Sequence, residues 1–77
     1  MRFAITLNMP SHKGNLVHQV IGDYPVDSLE DFLDELSECE FVIVDEIYRD
    51  DTTKELRRNG PIGINRLFVG KVKAVFS

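Results

Sequence analysis

The chain has 77 residues, a formal charge of −4 and an apolar content of 43%. That length predicts a single domain over residues 1–77, one that buries only about 60% of its unfolded surface, and the apolar content excludes wholesale disorder. A lone cysteine excludes a disulfide framework and points to a reducing cytoplasm, no apolar run nears the roughly 20 residues of a membrane span, and MRFAITLNMP has neither the apolar core nor the cleavage site of a signal peptide.

Residues 2–9, RFAITLNM, alternate. Phe3, Ile5, Leu7 and Met9 fall on one side and Arg2, Ala4, Thr6 and Asn8 on the other, the period of a half-buried strand. PSHKGN, residues 10–15, reads as a hairpin loop. LVHQVIG, residues 16–22, follows as a second strand with Val17, Gln19 and Ile21 on one face and Leu16, His18 and Val20 on the other.

The chain is organised around residues 28–48, SLEDFLDELSECEFVIVDEIY. Ser28 is a natural N-cap, since its hydroxyl can accept from a backbone N–H that the first turn leaves free, and Asp31 three residues on suits the positive end of the helix dipole. Leu29, Phe32, Leu33 and Leu36 repeat at i, i+3, i+4 and i+7, which predicts an apolar helical stripe ending near Cys39. At residue 40 the period changes. Phe41, Val42, Ile43 and Val44 are a continuous apolar run, which predicts a strand in the middle of the sheet, covered on both faces for much of its length. The helix should lie across either Phe41, Ile43 and Ile47 or Val42, Val44 and Tyr48; the pattern does not choose between them.

Asp50 to Thr53 look like a hairpin tip, and Asn59-Gly60 like a second turn ahead of a short strand at Ile62–Asn65. RLFVGKVKAVF, residues 66–76, reads as the last strand, with Phe68, Gly70, Val72, Ala74 and Phe76 on one face and Leu67, Val69, Lys71 and Lys73 on the other. The order strand, strand, helix, strand, short strand, strand predicts a two-layer α+β fold: a mainly antiparallel sheet of four or five strands with one helix packed on one face. One helix leaves the other face short of cover, so a partner or a second copy is expected there.

Charge is unevenly spread. Residues 1–46 hold two basic residues against ten acidic ones, a balance of −8, and residues 47–77 hold seven against three, +4. Five acids, Glu30, Asp31, Asp34, Glu35 and Glu38, share the outer helix face with no Lys or Arg among them, although a solvated face commonly mixes both signs. Arg49, Lys54, Arg57, Arg58 and Arg66 form the basic counterpart. Nucleic-acid binding would want a basic stripe interleaved with aromatics, and Asp50, Asp51 and Glu55 dilute this one.

Groups able to do chemistry are sparse. His12, beside Ser11 and Lys13 in the first loop, lacks the glycine spacing of a phosphate loop and reads as an ordinary polar turn. His18 has no Cys or carboxylate at ligand spacing and reads as a sheet histidine. Cys39 stands at a helix C-terminus between Glu38 and Glu40, where the dipole opposes an anion, and reads as a small core residue. Asp45 and Glu46 are adjacent in a strand and so point to opposite faces, which argues against a paired-carboxylate site.

The sequence therefore predicts no catalytic residue, no cofactor and no metal. The leading expectation is a small acidic protein-binding module, contacting its partner through the acidic helix face or the half-covered sheet face. Its sharpest version is an accessory protein of a phage or other mobile element that inhibits a host nucleic-acid-binding defence complex. A structural homodimer is the second expectation, and a weak nucleic-acid contact through the basic C-terminal half comes after it.

Overall fold

A computed structural model describes residues 1–76, Asn15 by its backbone alone. The elements are β1 (Arg2–Ser11), β2 (Gly14–Asp23), α1 (Leu29–Glu38), β3 (Phe41–Arg49), β4 (Leu56–Asn65), a short 3-10 turn (Arg66–Phe68) and β5 (Val69–Val75). All strand pairs are antiparallel, in the order β4-β3-β2-β1-β5. With α1 laid on one face, this is the two-layer α+β fold that the pattern predicts.

The helix begins as its sequence dictates. The Asp31 N–H donates to Ser28 Oγ at 3.1 Å, and the Cys39 N–H closes the last turn on the Glu35 carbonyl at 3.1 Å. Phe32 and Leu36 are buried and Leu29 is packed beside them, but Leu33 stays largely exposed. The buried stripe is therefore narrower than the spacing implies. The helix has no basic residue in its own last turn. Arg66 supplies one from the far end of β4: its Nη1 donates to the carbonyls of Leu36 at 3.4 Å and Ser37 at 2.6 Å. A cation against these carbonyls answers both the unpaired acceptors and the dipole.

The core lies between α1 and the sheet face bearing Phe3, Ile5, Val20, Val42, Val44 and Ile64. Phe3 stacks on Phe32 at 4.4 Å between ring centroids, and Tyr24 meets Phe32 edge-on at 4.9 Å. Burying side chains of this size contributes about 1.5–3 kcal/mol each. Of the two strand faces left open by the pattern, the helix takes the one with Val42 and Val44.

Three expectations change. β3 is not the middle strand but second from the β4 edge, and it is not covered on both faces: Phe41 and Ile43 are 58% and 66% exposed. Among the described residues one α-helix covers a sheet with two faces. Asn59-Gly60 is not a turn between strands. β4 runs through it, and the register against β3 shifts between Glu46 and Ile47, a β-bulge with Gly60 at φ 95°. The last strand starts at Val69, not at Arg66, because the Asn65 side chain accepts the Leu67 N–H at 3.0 Å and turns the chain into a 3-10 coil. A second bulge at Gly70 then brings Val69 to the core side with Val72 and Ala74.

Candidate functional site

Cross-strand register fixes what the uncovered face carries. One row runs across all five strands: Lys73 of β5, Ala4 of β1, Ile21 of β2, Ile47 of β3 and Arg58 of β4. Ile47 is 5% exposed yet stands apart from the core cluster under the helix. Its neighbours in this row shield it. The row toward the hairpin tips adds Lys71, Thr6 and Gln19, and Val17 lies beyond it on the same face. On the other side of the central row, β3 continues the face with Ile43 and Phe41. The result is an apolar centre with cations at both lateral edges, Lys71 and Lys73 on one and Arg58 on the other. Four spacings of about 4.8 Å separate those edges by about 19 Å.

One charged row cuts this patch between Ile47 and Ile43: Arg2, Asp23 and Asp45 lie side by side on β1, β2 and β3. Arg2 Nε donates to Asp23 Oδ1 at 3.0 Å. Asp45 faces Asp23 directly and has no ion pair among the described residues, a like-charge contact that mildly opposes the β2–β3 pairing. These three residues, with Met1, Tyr24 and Val75, line a shallow groove of about 690 Å³ at that end of the sheet.

On the opposite side, α1 presents its acids. Glu30, Asp31, Asp34 and Glu38 are exposed, and Glu35 is half-buried. None of them makes an ion pair among the described residues. Burial raises the pKa of the Tyr24 hydroxyl above its ordinary value, and the charge of Glu35 adds to that.

The basic group read from the sequence does not come together. Arg57 Nε is bound to Asp50 Oδ2 at 3.0 Å, Arg49 Nη1 donates to the Lys54 carbonyl at 3.5 Å within the β3–β4 turn, and Arg66 is engaged at the helix end. Arg58 joins the row through Ile47 on the open face, where its companions are Lys71 and Lys73; Arg49 falls on the same face beyond Ile47, beside the β3–β4 turn. Alternation along the last strand already placed those two lysines on that side. What sequence reasoning missed was the pairing of Arg58 with Ile47, because the bulge at Asn59-Gly60 sets it; an isolated glycine within a strand pattern was the available signal.

His12 is exposed at the β1–β2 turn, His18 sits in β2 opposite Leu7, and Cys39 is half-buried at the end of α1. Among the described residues no three His, Cys, Asp or Glu side chains converge, and no helix is long and apolar enough to cross a membrane. Asp45 and Glu46 do point apart: Asp45 lies in the charged row, while Glu46 Oε1 accepts from Asn59 Nδ2 at 2.6 Å. No family model, curated protein or solved structure matches the chain.

Proposed function

We propose that the protein is a non-enzymatic binding module whose open sheet face receives an amphipathic, acid-flanked helix of a partner protein. The observation that carries this reading is the cross-strand row in which Ala4, Ile21 and Ile47 lie between Lys73 and Arg58. A helix with its side chains is about 10 Å across. Laid along the strands, it covers Ile21 and the small part of Ile47 left exposed, reaches Ile43 beyond the Asp45 carboxylate, and brings carboxylates on its flanks toward cations at both edges. A bare sheet face is completed by a second layer in this way, and opposite charges around an apolar centre favour one class of partner over others.

The test uses two synthetic helical peptides with the same apolar stripe, one flanked by Glu and one by Lys, added to isotope-labelled protein. The Glu peptide is expected to shift the amide resonances of Ile21, Ile43, Ile47, Arg58 and Lys73, and to lose this effect in an Ile43→Asp, Lys73→Glu variant. Equal response to both peptides, or none, overturns the reading.

A second reading is favoured by the five helix acids, which no ion pair relieves among the described residues. Here Glu30, Asp31, Asp34, Glu35 and Glu38 dock on a basic surface. In its sharpest form the protein then blocks a nucleic-acid-binding machine by occupying the site of a phosphate backbone. Shifts confined to α1 on adding the Lys peptide support this reading instead.

A further inference from the structure

The sheet is split at one end. β2 pairs with β3 only through Ile21, Gly22 and Asp23, whereas it pairs with β1 along its whole length, from Gly14 to Asp23. Residues 14–20 therefore have a strand on one side only. No other backbone hydrogen bond reaches them among the described residues. Leu16, Val17, His18 and Gln19 are all exposed, so this part of β2 is open on both faces as well as along one edge.

Other edges of the sheet are guarded. The outer edge of β5 carries Lys71 and Lys73, that of β4 carries Arg57, Arg58 and Pro61, and β1 beyond the reach of β5 carries Pro10. Charged residues and proline are the usual means of keeping an edge from pairing with another chain. Residues 14–20, GNLVHQV, have no Asp, Glu, Lys, Arg or Pro. The inner edge of β3 at Phe41–Val44 also lacks charge, but α1 packs over that strand, burying Val42 and Val44. Residues 16–19 of β2 have cover on neither face.

We propose that residues 14–20 of β2 pair antiparallel with the same residues of a second copy of this chain, forming a two-fold dimer with a continuous sheet. The second copy is favoured over another partner because the segment is its own complement. It has no Asp, Glu, Lys or Arg, so two copies meet without repulsion between such side chains. It also carries one exposed apolar side chain on each face, Leu16 (56% exposed) and Val17 (64%), and pairing covers both. The symmetry is isologous and closed. A two-fold axis between antiparallel strands stands normal to the sheet, so both helices fall on one side and both open faces on the other. The contact is a short ribbon edge, well under the roughly 800 Å² per partner of a standard interface, so the dimer is weak and concentration-dependent.

Sedimentation equilibrium from micromolar to millimolar protein tests the association, and hydrogen exchange at the two extremes locates it. Wild type is expected to move from monomer to dimer, with amides in residues 15–20 gaining protection as dimer forms. Leu16→Lys, on the side of β2 away from the open face, is expected to weaken the dimer at least tenfold while its melting temperature and its binding of the Glu-flanked peptide stay unchanged. A monomer throughout the range overturns the proposal. So does a dimer that survives Leu16→Lys or gains its protection elsewhere. Neither result touches the peptide assay, so the two proposals fail separately.

Discussion

The two faces of β3 make the most instructive comparison in the molecule. Val42 and Val44 are buried under α1, while Phe41 and Ile43, one residue away in each case, stand in solvent. All four are apolar and all four favour strands. Nothing in their chemistry separates them. The difference is which side the helix lies on, and the helix is committed by its own stripe of Leu29, Phe32 and Leu36. A continuous apolar run thus has two meanings, a strand buried on both faces or a strand whose second face awaits a partner.

The widest contrast should appear on truncating one residue from each side. Phe32 is fully buried against Phe3 and Tyr24, so Phe32→Ala should cost about 3–5 kcal/mol in urea denaturation. Ile43→Ser on the open face should cost less than about 0.5 kcal/mol. A large loss at Ile43 in dilute protein would mean that its face is already covered in the isolated chain, and would break the comparison.

Gly22 sharpens it at the point where the two halves of the sheet join. A Cβ there would sit 2.9 Å from Val44 Cγ2 and 3.0 Å from the Asp45 carbonyl oxygen. The backbone of β3 has to give way, so Gly22→Ala should cost about 1–3 kcal/mol in the same assay. Since only three residue pairs hold β2 to β3, exchange protection of Ile47 should fall with it.

The smallest effect belongs to the β3–β4 turn, far from both faces. Asp50 Oδ1 accepts from the Thr52 and Thr53 N–H groups at 2.8 and 3.2 Å, and Arg57 binds the other oxygen. These donors favour the carboxylate and hold its pKa below the ordinary 3.8. The sign follows: the turn's stabilisation is complete above pH 3.8 and is lost as pH falls through the depressed value. A carboxyl-carbon NMR titration should place the Asp50 midpoint below 3.8, with the turn amides loosening at that pH. A midpoint at or above 3.8 would remove the Asp50 bonds from the account of the turn.

Much of the architecture was legible. Alternation in RFAITLNM and LVHQVIG gave the faces of the first hairpin, and Ser28 with the leucine and phenylalanine spacing gave the helix to within a residue. The misread places, Asn59-Gly60 and Val69-Gly70, share a cause. A bulge inserts one residue and reverses which side the rest of the strand faces. Period alone cannot detect that, because each fragment still alternates correctly within itself. The candidate site suffered from the same blindness. Arg57 and Arg58 are neighbours in sequence, yet one is spent on Asp50 and the other faces Ile47.

By itself, the sequence determined the local elements, the acidic outer face of α1 and the apolar inner one, because these depend on capping, period and charge within a few residues. Tertiary structure decided which face of β3 is covered, which cations border the open patch, and that β2 parts from β3 after three pairs. Those outcomes depend on register between strands distant in the chain. Register is set by the whole packed core, with the helix choosing one face and leaving the other to solvent.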